Sequence, residues 1–391
     1  MINTKFSLTS VLEFIFFFCL NFSIALKFSQ MGLAQQTVAT ALNIISLLAL
    51  CLKYLFVSKV SRKAFCFIFF IVILGIIYSA YYLNMGILNI VMAILVAKGM
   101  SVKKIFKYNC LTMTLAVGFI AFTSIIGTTS IYAKDAFKLG EWKSLYAFGF
   151  VTSNTPSILM LTILTAYNLF RGNQLKNKEI VLEFLLTAIT YFMFYARTGT
   201  FTFVIYLITL FICKNLKSRV ITKFILWPCQ YIYFFILGIT FYAVANFDTS
   251  LYLSEINLLL SDRLHLWNTL VYYSGIHFLG NGGIIDNLGM SIDNAYIFLI
   301  IAYGICMLAL YGFIFTYVAI KAYQKNDWNT LLVVLAYSLY GFGENQVFAA
   351  TLCNVLLLFG CFFLNQRSDT EMHIVKGKEE AEELSSYENT D

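Results

Sequence analysis

The sequence predicts an all-α, polytopic integral membrane protein with about 12 transmembrane helices. Of its 391 residues, 60% are hydrophobic and only 12% are charged, against roughly 25% charged in a soluble domain. About 235 apolar residues, at the ~20 that one spanning helix needs, leave room for ten to twelve spans. The apolar residues run continuously and do not alternate with polar ones, which excludes an outer-membrane barrel. The same composition excludes a soluble enzyme, a disordered chain and a collagen-like fibre.

Apolar runs separated by charged breaks mark the spans in chain order. The first run follows a single cation, Lys5, and lacks a convincing cleavage site, so we interpret it as a retained span and not as a signal peptide. The run over 85–99 is short, and the turns at Arg197 and Glu344 leave almost no loop between the flanking runs. The predicted spans are 7–26, 36–57, 64–82, 85–99, 108–128, 151–170, 179–196, 200–213, 224–246, 295–320, 329–343 and 347–364.

The distribution of Lys and Arg over the connections predicts the orientation. Of the 27 cations, all but six fall in the connections on one side, and the positive-inside rule makes that side cytoplasmic. Both termini are then cytoplasmic, with one transmembrane domain over 1–364 and a polar cytoplasmic tail over 365–391. The net charge of +7 follows from this topology and gives no reason to expect nucleic acid. The six external cations are Lys27, Lys134, Lys138, Lys143, Arg197 and Arg263.

Several chemistries leave no signature in the sequence. None of the nine cysteines forms a Cys-x-x-Cys pair, so neither a disulfide framework nor a zinc site is indicated. No Walker loop, dinucleotide fingerprint or acidic cluster with metal-ligand spacing is present, and we expect no cofactor, no metal and no ATP hydrolysis. No strong internal repeat is visible, which disfavours an inverted-repeat transporter.

The two longer external loops, at about 129–150 and 247–294, contain the most informative residues. In the second loop, five acidic residues surround one cation, Arg263, which either pairs with Asp262 or Glu255 or binds an anionic ligand. A capping residue, Ser261, followed by apolar residues at helical spacing predicts an amphipathic helix on the membrane surface or over the bundle. The glycines over 280–283 favour a tight turn over a phosphate-binding loop.

Arg197 and Glu344 lie in the two shortest connections. A guanidinium at the edge of the hydrocarbon costs a few kcal/mol unless it faces a cavity or a partner. Arg197 therefore either extends to the lipid head groups or provides a bidentate anchor for phosphate. Glu344 is an interfacial turn residue, a partner for an arginine, or a base. We interpret Glu13 and Glu183, near the cytoplasmic ends of spans, as structural.

On these residues the chain resembles the oligosaccharide repeat-unit polymerases of the Wzy type, which are related to the O-antigen ligases. The order and spacing agree over about 140–305, and the span count agrees over the whole chain. The segments that carry the resemblance are Ala147-Phe148-Gly149-Phe150 with Asn154, Ala196-Arg197-Thr198, Asp262-Arg263 with Trp267 and Leu279-Gly280-Asn281-Gly282, and Asp293-Asn294-Ala295-Tyr296 with Gly304.

The resemblance implies a glycosyltransferase at the external face of the cytoplasmic membrane. It would join oligosaccharide repeat units carried on undecaprenyl pyrophosphate, in capsule, O-antigen or exopolysaccharide synthesis, with a chain-length regulator and a flippase as expected partners. Arg197 and Arg263, assisted by Lys143, would bind the pyrophosphate. Asp293 holds the place of the ligase histidine and is the favoured base, unless it caps the next helix. His277 and Glu344 are the alternative bases.

Three other functions remain open from the sequence. A lipid-linked oligosaccharide flippase would carry charges along a central path and show two related halves. An O-antigen ligase would use the same chemistry on another acceptor, but Asp293 replaces its histidine. A small-solute transporter would need polar sites at the membrane midplane. For the external aromatics Trp142, Trp267 and Tyr296, an interfacial belt is favoured over stacking on sugars.

Overall fold

The computed structural model describes residues 7–56, 62–82, 85–133, 136–138, 141–143, 145–216, 218–260, 262–281 and 292–365. The regular elements of the described chain are helices, apart from one antiparallel hairpin of two three-residue strands in the loop at about 129–150, β1 (Ala136–Lys138) and β2 (Glu141–Lys143). The α-helical class is therefore confirmed. The helices are α1 (Leu8–Lys27), α2 (Leu33–Phe56), α3 (Arg62–Tyr82), α4 (Gly86–Val96), α5 (Val102–Ile125), α6 (Asn154–Arg171), α7 (Asn177–Phe194), α8 (Arg197–Asn215), α9 (Arg219–Leu226), α10 (Ile232–Ala245), α11 (Leu251–Leu259), α12 (Arg263–Ser274), α13 (Ala295–Phe298), α14 (Gly304–Gln324), α15 (Trp328–Gly341) and α16 (Asn354–Leu364).

Six helical stretches among the described residues are long and apolar enough to cross a membrane. Large apolar side chains point outward from the helices, with Phe192 80% exposed and Phe224 84% exposed. Such side chains are favourable in lipid and costly in water, so the protein is embedded in a membrane. The six stretches are Leu8–Lys27, Gln35–Leu55, Val102–Ile125, Arg197–Asn215, Thr222–Ala245 and Ala295–Gln324; shorter apolar helices are Phe65–Tyr81, Gly86–Val96 and Asn354–Leu364.

The last predicted span, 347–364, is not one continuous helix. Two 3₁₀ turns, Gln346–Phe348 and Ala350–Leu352, precede α16, which begins only at Asn354. Tyrosine hydroxyls satisfy carbonyls of this irregular segment: Tyr311 donates to Phe348 O and Tyr337 to Leu352 O, both over 2.6 Å. Irregular backbone at membrane depth is tolerated where protein groups replace the missing helical hydrogen bonds.

The two eleven-residue helices, α4 and α16, pack against each other inside the bundle. Nearly every residue of α4 is buried, which explains why this short apolar run gives only a weak span signal. Contact is close at Gly360, where an added Cβ would overlap the Ile94 carbonyl oxygen. At about 1.5 Å per residue each helix is roughly 16 Å long, about half the hydrocarbon thickness.

A chain of buried amides and hydroxyls, the asparagine network, connects α1, α5, α6 and the segment before α16. Asn21 donates to Asn109 Oδ1 (2.9 Å), Asn109 donates to Asn354 Oδ1 (2.9 Å), and Asn354 donates to Thr165 Oγ1 (2.8 Å). Thr351 donates back to Asn21 Oδ1 (2.5 Å). All five side chains are completely buried. Satisfied hydrogen bonds of this kind determine which apolar helices pair in a membrane, because lipid tails and apolar helix surfaces are about equally good neighbours for another helix.

We expect Asn354→Leu to destabilise the protein. The leucine is similar in size, but it removes the hydrogen bonds that Asn354 makes to the Asn109 amide, the Thr165 hydroxyl and the Thr162 carbonyl, at about 1 kcal/mol for each. Thermal denaturation of the purified protein in detergent measures the loss. Asn43→Leu is the matched control, because Asn43 is equally buried and neither of its amide atoms has a hydrogen-bond partner. Equal melting temperatures for the two variants would contradict a stabilising network.

Near the start of α1, Glu13 is buried between two lysines. Its carboxylate contacts Lys53 Nζ over 2.9 Å and Lys104 Nζ over 2.6 Å. Glu183 is also buried and accepts a hydrogen bond from Asn168 Nδ2 over 2.9 Å. Both contacts join different helices, which agrees with the structural roles expected for these two glutamates.

The long apolar helix that follows the loop at about 247–294 is interrupted at Gly304. From α13 the chain passes through a π-helical turn, Leu299–Tyr303, and Gly304 has a φ of +80° before α14 continues. The loop segment 276–281 satisfies the backbone groups freed there. His277 O accepts from Ile305 N–H (3.1 Å), and Asn281 N–H donates to Ile301 O (2.7 Å). The predicted helix over 295–320 is therefore present but broken, with loop backbone hydrogen-bonded into the break.

Glycine is required on both sides of this contact. Gly280 has a φ of +82°, and an added Cβ would lie 2.5 Å from the Ala302 carbonyl oxygen; one at Gly304 would overlap the Phe278 carbonyl oxygen. Gly280 therefore serves a close approach of backbone to backbone. Gly282 and Gly283 lie outside the described residues.

Candidate functional site

A cavity of about 510 Å³ lies between α8, α10, α12 and the turn after α15. Its volume falls in the usual range for small-molecule sites. The cavity is strongly divided in character, with charged and amide groups at one end and apolar side chains along the rest. The polar lining comprises Asn154, Arg197, Thr198, Thr202, Arg263 and Glu344, and the apolar lining includes Phe201, Ile205, Ile236, Ile239, Trp267 and Leu339.

Arg197 is the first residue of α8, directly after a turn of two residues. α7 ends at Phe194, Tyr195 adopts the left-handed conformation (φ +52°), and the chain enters α8 at once. The guanidinium therefore lies at a helix N-terminus, where the backbone dipole also favours an anion. The predicted position of Arg197 between two closely spaced helices is confirmed, and the residue lines the cavity.

Arg263 begins α12 and reaches across to the turn after α15. Its Nη1 donates to the Gly343 carbonyl oxygen (2.9 Å), and its Nη2 lies 3.2 Å from Asp293 Oδ2. The ion-pair partner is thus Asp293, whereas Asp262 accepts a hydrogen bond from Asn257 Nδ2 over 3.0 Å. A guanidinium has five N–H donors in a planar fork, so Arg263 retains donors while it lines the cavity.

The start of α12 is fixed differently from the sequence prediction. Ser261, the expected cap, lies outside the described residues. Asp262 occupies the N-cap position in the left-handed conformation (φ +61°), without a capping bond from its side chain. Instead, Asn257 Oδ1 accepts from His265 N–H over 3.2 Å. A helix is present here as predicted, and Leu264 and Trp267 are buried, so α12 packs against the bundle.

Glu344 lies in the cavity wall and is only 6% exposed. Its Oε1 accepts a hydrogen bond from Asn154 Nδ2 over 2.8 Å. The turn that carries it packs against the start of α8, because a Cβ added to Gly343 would lie 2.5 Å from Thr198 Cγ2. Glu344 and Asn154 are 190 residues apart in the sequence, and no spacing pattern could have paired them.

Asn154 is the first residue of α6, and the motif before it fixes where that helix begins. Gly149 has a φ of +82°, and an added Cβ would lie 2.9 Å from Ile120 O. Its own carbonyl accepts from Gln30 N–H over 2.7 Å. The Gly-Phe…Asn segment thus ties the end of α1 to the start of α6 and places the Asn154 amide beside Glu344.

The three remaining predicted site residues have different surroundings. Asp293 is paired with Arg263. The helix cap that the sequence left open for Asp293 is made by Asn294, whose Oδ1 accepts from Tyr296 N–H (2.9 Å) and Ile297 N–H (3.0 Å). His277 is exposed, and its Nε2 lies 2.9 Å from Ser274 O, away from the cavity lining. The side chain of Lys143 lies outside the described part of the chain.

The prediction that Trp142, Trp267 and Tyr296 belong to a belt at the membrane interface is wrong for Trp267 and Tyr296. Trp267 is 1% exposed, lines the cavity and packs edge-on against Phe342, with ring centroids 5.3 Å apart. Its indole Nε1 is buried without a hydrogen-bond partner. Tyr296 is completely buried and donates to Ser338 O over 2.9 Å. The side chain of Trp142 is not among those described.

Within the described ranges, no group of three or more His, Cys, Asp or Glu side chains is arranged to hold a metal ion. Comparisons with protein-family models, with curated proteins and with solved structures give no match to this chain. The proposed function therefore rests on the residues that line the cavity.

Proposed function

We propose that the protein is a polysaccharide polymerase, a glycosyltransferase that joins lipid-pyrophosphate-linked oligosaccharide repeat units at the external face of the cytoplasmic membrane. The observation that supports this most directly is the division of the cavity. Two arginines and a carboxylate occupy one end, and apolar side chains of membrane helices line the rest. A polyprenyl pyrophosphate has the same division, with an anionic head on a long apolar chain.

The apolar end of the cavity suits a lipid chain in position as well as in character. Phe201 on α8 and Ile239 on α10 line the cavity and are also exposed on the outer surface of the helices. In the proposed orientation this surface faces the bilayer, so a lipid could enter sideways between α8 and α10 while its head stays at Arg197 and Arg263.

The proposed reaction transfers a growing glycan from its lipid carrier to the next repeat unit. A hydroxyl oxygen of the acceptor sugar attacks the anomeric carbon of the donor, and the bond from that carbon to the pyrophosphate oxygen breaks. The bonding pair stays with the pyrophosphate, whose growing negative charge Arg197 and Arg263 would stabilise. The leaving group supplies the driving force, and a carboxylate takes the proton of the hydroxyl.

The full topology is part of the proposal: twelve spans, cytoplasmic termini, and the cavity at the external end. The structure supports the sidedness indirectly. Lys53 and Lys104 gather around Glu13 at one end of the bundle, whereas Arg197 and Arg263 lie together at the other. This separation follows the cation asymmetry from which the orientation was predicted.

We expect Ile239→Trp to shorten the polymer. The larger side chain fills the apolar end of the cavity, and a displaced lipid chain should lower the polymerisation rate about tenfold or more. Surface polysaccharide separated on a gel measures the change. Ile208→Trp, on the exposed surface of α8 but away from the cavity lining, is the control and should leave chain length unchanged. Equal chain lengths in both variants would contradict the lipid position.

The test of the function itself is a deletion strain whose lipid-linked glycans and surface polysaccharide are both analysed. We expect high-molecular-weight polymer to disappear while single repeat units still reach the outer face. Repeat units trapped on the cytoplasmic face would mean that the protein is a flippase. Full-length polymer still attached to its lipid carrier would mean that it is a ligase. Either result would overturn the proposal.

A further inference from the structure

We propose that Glu344 is the base that takes the proton of the acceptor hydroxyl and that Asn154 is the residue that positions it. The inference rests on the proposed polymerase function and specifies its proton transfer. It concerns a pairing between the start of α6 and the turn after α15, which only the fold brings together.

The two carboxylates near the arginines are Asp293 and Glu344, and of these only Glu344 lines the cavity. Asp293 lies 3.2 Å from Arg263 Nη2 and is not part of the cavity lining. A proton taken up by Asp293 would remove the negative charge that pairs with Arg263, the residue assigned to the pyrophosphate. Glu344 lies in the cavity wall itself, in the same cavity as Arg197 and Arg263. Position therefore favours Glu344 as the group that contacts a bound acceptor.

The Asn154 amide orients the Glu344 carboxylate without adding charge. It donates from Nδ2 to Oε1 over 2.8 Å. An ionised carboxylate has about four acceptor positions, and this bond uses one of them at Oε1. A side chain locked by a neighbouring hydrogen bond transfers a proton more effectively, because its geometry is set before the substrate binds.

The backbone around both residues is rigid, which suits a positioning contact. The Gly343 carbonyl is held by Arg263 Nη1 over 2.9 Å, and the Glu344 N–H donates to Tyr340 O over 3.0 Å. On the other side, the Gly149 contact with Gln30 fixes the entry to α6. The same guanidinium thus touches the proposed leaving-group site and the turn that carries the proposed base.

In the proposed step, the acceptor hydroxyl gives its proton to a Glu344 carboxylate oxygen as its own oxygen bonds to the donor's anomeric carbon. The electron pair of the breaking bond leaves with the pyrophosphate. Glu344 returns the proton to water after the product departs, and the carboxylate is then ready for the next cycle. Asn154 keeps its hydrogen bond to Oε1 throughout and takes no part in the bond changes.

The test uses purified full-length protein in lipid nanodiscs, with lipid-linked repeat units extracted from the deletion strain as the probe. Polymerisation is followed as a function of pH. For the wild type, kcat should fall at acid pH as the base becomes protonated. Glu344→Gln should lower kcat about 10²–10⁴-fold with KM within about twofold. Its amide oxygen can still accept from Asn154, so its thermal denaturation should match that of the wild type.

The Asn154 variants separate positioning from a merely structural role. Asn154→Ala should lower kcat about tenfold and leave KM unchanged, and it should have no further effect in the Glu344→Gln background, because the two residues act together. Asn154→Asp should move the acid limb to higher pH, since a second negative charge favours protonated Glu344. Asp293→Asn is the comparison variant, and its kcat should still fall at acid pH.

Two results overturn the inference. One is a Glu344→Gln variant that keeps more than about a tenth of the wild-type kcat, well above the loss expected for a missing base. The other is an acid limb that disappears in Asp293→Asn. A wild-type protein that forms no polymer from the probe overturns the proposed function instead, so the two failures are distinguishable.

Discussion

Arg197→Ala and Arg263→Ala should each abolish long polymer while the protein still accumulates in the membrane. Removing one preorganised donor to a developing negative charge typically costs 10²–10³-fold in rate. Each of these arginines would supply two parallel hydrogen bonds to the pyrophosphate. Polysaccharide chain length on a gel and protein level by immunoblot, both in the complemented deletion strain, measure the two effects.

Lysine should rescue poorly at both positions, because it keeps the charge but loses the planar fork. The loss is expected to be greater at Arg263, where one guanidinium bridges the Gly343 carbonyl and Asp293 through different nitrogens.

Arg171→Ala is the matched control. Arg171 is similarly exposed (27% against 23%) and also ion-paired, to Glu179, but it lies at the far end of α6.

Normal chain lengths in both alanine variants would show that Arg197 and Arg263 do not bind the pyrophosphate. The main support for a transferase would then be lost. Short polymer in Arg171→Ala as well would show that loss of any ion pair is enough, and that the effect is structural. The assignment stands only if the loss is confined to the two cavity arginines.

Gly304→Ala should prevent stable folding. A positive φ costs an alanine about 1–3 kcal/mol, and here the added Cβ would also overlap the Phe278 carbonyl oxygen. The external segment 276–281 would have to move away from the helix break, which would leave backbone groups unsatisfied at membrane depth. We expect little detergent-extractable protein with a monodisperse elution profile.

Gly238→Ala is the control for that experiment. Gly238 lies in α10, and an added Cβ would meet no atom within 4 Å. Alanine is the better helix former by about 1 kcal/mol, so this variant should accumulate at least as well as the wild type. If Gly304→Ala also accumulates and elutes normally, the contact between the loop and the break is not needed for stability.

The parts of this protein that could be predicted from sequence are those set by local chemistry. Continuous apolar runs predicted membrane helices. The short connection at Arg197 predicted a charged residue between two closely spaced helices, and the spacing of Leu264 and Trp267 predicted the helix α12. Each of these depends on residues within about ten positions of one another, because hydrophobic periodicity and helix ends are local properties.

The parts that were missed depend on contacts between distant segments. The Asn154–Glu344 bond spans 190 residues, and the ion pair between Arg263 and Asp293 joins residues on opposite sides of a long loop. The asparagine network did leave a signal. Amides such as Asn21, inside an apolar run, are costly in lipid and indicate a buried partner, although the sequence does not show which one.

The asparagine network also has a consequence for how the protein is made. Ribosomes deliver helices to the membrane one at a time and in chain order, so α1, which carries Asn21, enters before the helices that carry its partners. Its partner Asn109 follows with α5, and Thr351 is synthesised 330 residues after Asn21. Until then Asn21 Oδ1 lacks the hydrogen bond that Thr351 donates to it. We therefore expect α1 to stay beside the insertion machinery, or to move into the bundle late, after the segment that carries Thr351 has been made.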